Sequence, residues 1–371
     1  MFTKNWQQKG KLQIITRYLY QELAGPFCFA LVAFASLYVG TDLLQLAKLG
    51  NQLQLGAGAL SLLLLLNLPQ ILYYVLPMAT LMAVLLTLSR LSGSSEIVAM
   101  EAGGVSRQRI AAPMLWLGLT LSCTSFILGE MIVPKANLLR SQILSREEQT
   151  ESRLLENVIL RDFKDGQLSR LLYAKVYDGA RRVMKEAVVQ EFSAGKLTRT
   201  IKTSRIRWDS GAWYYSDGEA YEYLEDGRVV TASFNSVRQP LRLSANPSQI
   251  AGQQKTPEEM SWGELKSQIA FLRQQGEDAR KLEVLWHQKM AIPLACLIFA
   301  LVGAPLGIQP HRSASSKGFG LSVVIIFVYY LILSLGSALG EGGQLPAALG
   351  AWLENILLGG WGIYLFWESG R

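Results

Sequence analysis

Six stretches of this chain stay apolar for about the 20 residues a helix needs to cross a hydrocarbon core roughly 30 Å thick. They cover residues 27–46, 60–88, 110–133, 290–308, 319–339 and 349–367. A lipid interior offers backbone groups no water to bond, so such runs are expected to be helical. Half of the 371 residues are hydrophobic and only 18% are charged, which sets the chain apart from ordinary soluble domains.

Between the third and fourth runs lie about 150 polar residues whose pattern has a different period. "LLYAKVY", "EAVVQEF", "TIKTSRIRW", "AWYYSDGEAYEYL" and "RVVTASFNSV" are short and rich in β-branched and aromatic residues. Turn signals separate them, among them Asp178-Gly179, Ala194-Gly195, Asp217-Gly218 and Asp226-Gly227. Val230, Ala232 and Phe234 alternate with Thr231 and Ser233. The expected fold is an α-helical membrane protein with six transmembrane helices and an inserted all-β domain of sandwich or jelly-roll type. Residues 1–134 form the first membrane half, 135–256 the β domain, and 257–371 a linker helix with the second membrane half. In the linker, Leu265, Ile269 and Leu272 recur at helical spacing.

Loop charges predict the orientation. Lys4, Lys9, Lys11 and Arg17 precede the first run; Arg90, Arg107 and Arg109 follow the second; Arg312 and Lys317 follow the fourth. The opposite loops hold Lys48 and, between Glu341 and Ala348, no basic residue. Both termini are therefore expected in the cytoplasm and the β domain outside. Long segments translocate regardless of charge, so the basic insert has no vote, and the net charge of +7 carries no nucleic-acid motif with it. The basic amino-terminal segment could pass for a signal peptide, but the run opened by Gly25-Pro26 has no small-residue cleavage site and reads as an uncleaved span. Cys28, Cys123 and Cys296 all sit in apolar runs without a CxxC pair, as buried small hydrophobes do.

No P-loop, strand-linked GxGxxG, HExxH or GxSxG occurs, so no catalytic residues, cofactor or metal are expected. His287 has no second histidine within one turn, and the other histidine lies in a basic loop. If transport is energy-driven, a partner hydrolyses the ATP. Prolines at 69, 77, 113, 293 and 305 lie within the runs, either as ordinary kinks or as hinges of a gate.

"GSSEIVAMEAGGVSRQRI", Gly93 to Ile110, reads as a short helix between the second and third spans. Ser94 or Ser95 is a candidate cap, Glu96 suits the positive dipole end, and Gly103-Gly104 stops the helix. Ile97 and Met100 share a face, and Glu101 adds a second acid. Such a helix can dock into a groove on a soluble partner, or it can be a solvated turn.

"SEIVAMEAGGVS", "TPEEMSWGEL", "HQKMAIPLACLIFALVGAPLGI" and "KGFGLSVVIIFVYYLILSLGSALGEGGQLPAALGAWLENILL" resemble segments of the lipopolysaccharide-export permease family, of the LptF/LptG or YjgP/YjgQ type. The resemblance covers nearly the whole chain. It implies the transmembrane subunit of an ABC transporter complex, itself no enzyme. It also implies pairing with a second permease of the family, a cytoplasmic ABC ATPase dimer that receives the short helix, with Glu96 as the coupling acid, and periplasmic jelly-roll bridge proteins. The cargo would be lipopolysaccharide or a related lipid, whose acyl chains need an apolar conduit.

In one respect the chain departs from family members that carry cations near the outer end of the first span. "GTDLLQLAKLG" has Asp42, with Lys48 as its one cation. Asp42, Glu130 and Glu354 fall near outer-leaflet depth, where acids face a cavity, a partner or the interface. Lys48, Lys135 and Arg140 could offset them, so Asp42, Lys48, Glu130, Lys135 and Arg140 are the candidate lipid-path residues. Two rival readings stay open: a secondary transporter, which would need paired charges at mid-span, and a relay that moves no lipid.

Overall fold

Uninterrupted apolar sequence folds here into helices that overrun the apolar lengths. The computed structural model describes residues 2–368 apart from 54, 148–153, 165–166, 180, 194, 210, 225–227, 236–238, 242, 244–246, 248–249, 251–255 and 309–313. α1 (Phe2–Leu53) runs straight through Pro26. Gly25-Pro26 therefore lies within this helix and does not begin it. Proline removes one backbone bond, but within a bilayer the rest of the ladder has no alternative partner and the helix holds.

α2 (Ala57–Gly93) leads through a two-residue link to α3 (Glu96–Ala102), and α4 (Arg107–Ile127) follows. One π turn, Leu128–Ile132, joins α4 to α5 (Val133–Glu147). The third span thus reaches beyond residue 133 and carries Lys135 and Arg140 on a membrane-unit helix, not in the polar insert. After the sheet come α6 (Trp262–Gln274), α7 (Arg280–Ile308), α8 (Ala314–Glu341) and α9 (Ala347–Glu368).

Among the described residues, five helices are long and apolar enough to cross a membrane. The sixth expected span falls on the 22-residue helix α9, which is not among these five and whose apolar run is interrupted by Glu354 and Asn355. α2 and α7 form the buried centre of this unit, with Leu81, Leu85 and Leu88 of α2 packed in clusters with Phe299, Ala300, Val302 and Ala304 of α7. α8 and α9 approach more closely still. A Cβ added to Gly350 would lie 2.5 Å from the Gly336 carbonyl oxygen, so glycine is what lets the two backbones meet.

The polar insert forms one antiparallel sheet, β1 (Leu154–Lys164), β2 (Gln167–Asp178), β3 (Val183–Ser193), β4 (Lys196–Asp209), β5 (Ala212–Tyr223) and β6 (Val229–Phe234) in that order, with β7 (Gln239–Leu241) also on β5. Consecutive strands pair as hairpins, a simpler connectivity than the Greek keys of a jelly roll. β1 and β7 carry no turn-bounded apolar alternation and were not expected. Asp217-Gly218 is not a turn but lies within β5, with Asp217 at φ 58°. β6 is exposed along its length except for Phe234, whose ring meets Tyr215 edge-on at 5.3 Å, so its alternation does not mark a buried face.

Leu172, Val189, Ile201, Ile206, Trp213 and Tyr215 line the apolar face of the sheet, and Phe271 of α6 joins the same core. α6 starts with a capping box: Glu264 N–H donates to Ser261 Oγ at 3.3 Å, and Ser261 N–H donates to Glu264 Oε2 at 2.9 Å. It ends before Gly276 (φ 68°) and does not continue into the fourth span. Contacts divide the chain into two units, Met1–Ile143 with Glu283–Arg371, and Leu144–Leu282. Residues 257–282, read from sequence as a linker helix ahead of the fourth span, fall in the unit that contains the sheet.

Candidate functional site

The link between α2 and α4 is built without a side-chain cap. Ser95 adopts a left-handed conformation (φ 64°), which turns the chain from α2 into α3 within two residues, and neither Ser94 nor Ser95 caps the α3 amino terminus. The Ser94 hydroxyl donates instead to Glu96 Oε1 at 2.9 Å. Ser106 precedes α4 and likewise makes no side-chain cap bond. At the other end, Gly104 N–H donates to the Glu101 carbonyl at 2.9 Å and Val105 N–H to the Met100 carbonyl at 3.0 Å. With Gly104 at φ 85° this is a Schellman stop, as the glycine pair suggests.

Glu96 is held from two sides. Besides Ser94, the Tyr18 hydroxyl of α1 donates to Glu96 Oε2 at 2.6 Å. The Tyr18 bond, with the Ser94 bond behind it, holds the Glu96 carboxyl below the ordinary carboxylate range and outweighs the opposing effect of partial burial. The acid is therefore ionised at neutral pH, half-buried, and next to the positive end of α3. Nearby, Arg90 of α2 pairs with Glu22 of α1, and Arg107 Nε donates to Glu101 Oε1 at 2.6 Å.

The two apolar residues expected to form a docking knob point inward. Ile97 is 2% exposed in a core with Leu88, Leu91, Ile110 and Ala111, and Met100 packs against the same cluster. The apolar side chain that α3 leaves open is Val98, 53% exposed, on a face shared with Ala102. Helical spacing alone cannot say which of two stripes faces solvent, and Tyr18 had no local signal at all.

The candidate lipid-path residues only partly come together. Asp42 of α1 is buried and accepts from Asn67 Nδ2 of α2 at 2.7 Å. Arg140 of α5 lies 3.9 Å from Asp42 Oδ1 and 3.4 Å from Asn67 Oδ1. Of the cations expected to offset these acids, Arg140 is the one that stands beside Asp42, and Asn67 is the member the sequence reading missed. Lys48 and Lys135 are exposed, and among the described residues neither has an ion-pair partner. Glu130 is half-buried on the π turn. Glu354 is fully buried, and its neighbour Asn355 donates to the Ala291 carbonyl at 2.8 Å.

Among the described residues no group of three or more His, Cys, Asp or Glu is arranged to hold a metal. His287 lies half-buried with its ring 4.7 Å from Trp286; the second histidine, His311, lies outside the described residues.

A sequence profile of the family described as lipopolysaccharide export system permease LptF/LptG matches residues 17–368. The lipopolysaccharide export system permease protein LptG of Escherichia coli (strain K12) is 23% identical over 334 residues, covering 88% of this chain and 89% of that protein. The protein of the same name in Haemophilus influenzae is 21% identical over 290 residues, 76% of this chain and 78% of its own. An uncharacterised protein of Rickettsia prowazekii is 26% identical over 197 residues, 50% of this chain. A match that begins in α1 and ends with α9 spans both membrane halves and the sheet between them, and the chain belongs to the lipopolysaccharide export permease family LptF/LptG.

Proposed function

We propose that this chain is the transmembrane permease subunit of an ATP-driven complex that extracts lipopolysaccharide, or a related lipid, from the inner membrane. The reading rests first on one observation: the ionised Glu96 of α3 is tied to α1 through Tyr18. A push on α3 by a cytoplasmic ABC ATPase dimer then reaches the first span directly and not through a slack loop. Exposed Val98 and Ala102, flanked by Glu101, suit a shallow apolar groove with a basic rim on that ATPase.

The remaining parts fit the same scheme. α1 and α8 leave long apolar faces uncovered, with Val32, Leu37, Leu44 and Phe327 each about two-thirds exposed. Such faces suit a bilayer and a second permease of the family, whether a sister subunit or another copy. The Asp42–Asn67–Arg140 cluster offers a guanidinium on a side chain about a quarter exposed to a lipid phosphate. The apolar face of the sheet receives acyl chains, and its exposed edge strand β6 is open to strand addition by a periplasmic bridge protein. Both termini are then cytoplasmic and the sheet periplasmic.

Co-purification tests the proposal. Glu96→Arg should lose the ATPase and lipid release while inserting normally; wild-type ATPase recovery with Glu96→Arg and with Val98→Asp would refute the docking role of α3.

A further inference from the structure

Five strands of the sheet are irregular at one level. Pairing runs through Glu156↔Val176 and Val158↔Ala174, then Val176↔Lys185 and Ala174↔Ala187. It continues through Lys185↔Arg205 and Ala187↔Thr203, then Arg205↔Ser216 and Thr203↔Gly218. At this level each of the four ladders steps over one position without a change of register. Those positions form a single transverse row: Asn157, Lys175, Glu186, Ser204 and Asp217.

The row changes the backbone and the pleat together. Asn157, Glu186 and Asp217, on alternate strands, sit at φ 56°, 49° and 58°, a region a residue with a Cβ enters only under constraint. Inward-facing side chains are two apart on either side of the row and three apart across it: Ala174 to Tyr177, Met184 to Ala187, Thr203 to Ile206. Two consecutive residues of β3, Lys185 and Glu186, therefore stand outside, as do Ser204 and Arg205 of β4. The sheet is creased into two panels. β6 pairs with β5 only at 218–223 and β7 only at 213–215, so each belongs to one panel.

Side chains take over where the ladder skips. Thr203 Oγ1 donates to the Ser216 carbonyl at 2.6 Å, Ser204 Oγ donates to the Asp217 carbonyl at 3.1 Å, and Lys175 pairs with Glu186 at 2.7 Å. Lys175 and Glu186 are solvent-exposed, and an open groove of about 490 Å³ lies over the row on this outer side. A line held by hydroxyls and an exposed ion pair is softer than the paired ladders beside it. The apolar core nonetheless draws on both panels, Leu172 and Val189 from one, Tyr177 and Trp213 from the other.

We propose that this row is a hinge: the two panels change their mutual angle when a lipid chain enters the apolar face, and the strands stay paired. The inference rests on the reading of that face as the acyl-chain receiver.

The test uses the full-length protein in lipid nanodiscs. Cys28→Ser and Cys123→Ser remove the exposed thiols, Cys296 being buried, and spin labels go onto Gln190→Cys and Arg207→Cys, one on each panel. Gln190 faces Thr200, seven residues from 207, an extended separation of about 23 Å. A photoreactive side chain at Leu172 reports the arrival of added lipopolysaccharide. The expected result is cross-linking to lipid, a shift of several ångströms between the labels, and unchanged amide protection in β3 and β4. Glu186→Gly with Asp217→Gly, and separately Thr203→Val, should broaden the distance distribution before any lipid is added. Cross-linking with an unmoved label distance overturns the hinge and leaves the receiver reading standing. Loss of protection in β3 and β4 means the strands part, and also overturns it. Absence of cross-linking with no shift overturns both.

Discussion

The Tyr18 hydroxyl of α1 donates a 2.6 Å hydrogen bond to Oε2 of Glu96 on α3, 78 residues away in sequence. The same end of α1 pairs Glu22 with Arg90 of α2, and Leu19 and Leu23 sit in the core that holds Ile97. A rigid first span, a buried isoleucine and an ionised acid thus meet at one place. That arrangement gives α3 a fixed pose without a side-chain cap.

Tyr18→Phe should weaken ATPase docking about fivefold, the effect of losing about 1 kcal/mol from a partly exposed hydrogen bond to a charged group. It should also raise the Glu96 titration midpoint, read from the carboxyl carbon by NMR. The sign follows from linkage. The folded value lies below the unfolded one, so the stabilisation is complete at neutral pH and is lost as pH falls through the depressed value. In Tyr18→Phe the folded value lies nearer the unfolded one, so that loss is smaller and is complete at higher pH.

Ile97 and Val98 are neighbours with opposite duties. Ile97→Ala removes a side chain that is 2% exposed and should cost about 2–5 kcal/mol, seen as a lower unfolding midpoint. Val98→Asp, at a site 53% exposed, should leave that midpoint within a degree or two and reduce ATPase co-purification. Equal loss of stability in both variants would contradict the burial pattern.

Long-period signals were legible and cross-chain ones were not. Apolar length located the helices, and the glycine pair 103–104 located the α3 stop, because both depend on consecutive residues. Strands β2 to β6 showed through their hairpin turns. β1 stayed hidden because its alternation is broken by Glu156, Asn157, Arg161 and Asp162, one of them left-handed. Asp217-Gly218 misled because the residues that make a turn also make a crease; a Cβ on Gly218 would collide with the Lys202 carbonyl, which is why glycine stands there. Tyr18 and Asn67 were invisible, since nothing local marks a residue that partners a distant acid.

Arg140→Ala should be more damaging than the double variant Asp42→Asn with Arg140→Ala. Removing the guanidinium leaves Asp42, itself 9% exposed, with Asn67 alone, at a cost of about 1–3 kcal/mol. Turning the acid into an amide removes the uncompensated charge. Thermal unfolding of the four proteins of this cycle in nanodiscs gives the coupling, and additive effects would show that the 3.9 Å pair contributes nothing.

Gly350→Val tests whether α8 and α9 depend on backbone contact. A Cβ at 350 meets the Gly336 carbonyl oxygen at 2.5 Å and the Gly340 Cα at 3.1 Å, both backbone atoms that cannot rotate away. The helices must separate, which would disturb the neighbouring Gln288–Ser337 bond, 2.5 Å, and the Tyr329–Asn355 bond, 3.2 Å. Overpacking of this kind costs about 1–3 kcal/mol, and in a bilayer, where lipid competes equally for the apolar surface, lost close packing has no hydrophobic compensation. The expected result is a lower unfolding midpoint and faster cleavage of the 342–346 loop by added protease. Gly360→Val on the same helix, where a Cβ would meet nothing within 4 Å, should change neither.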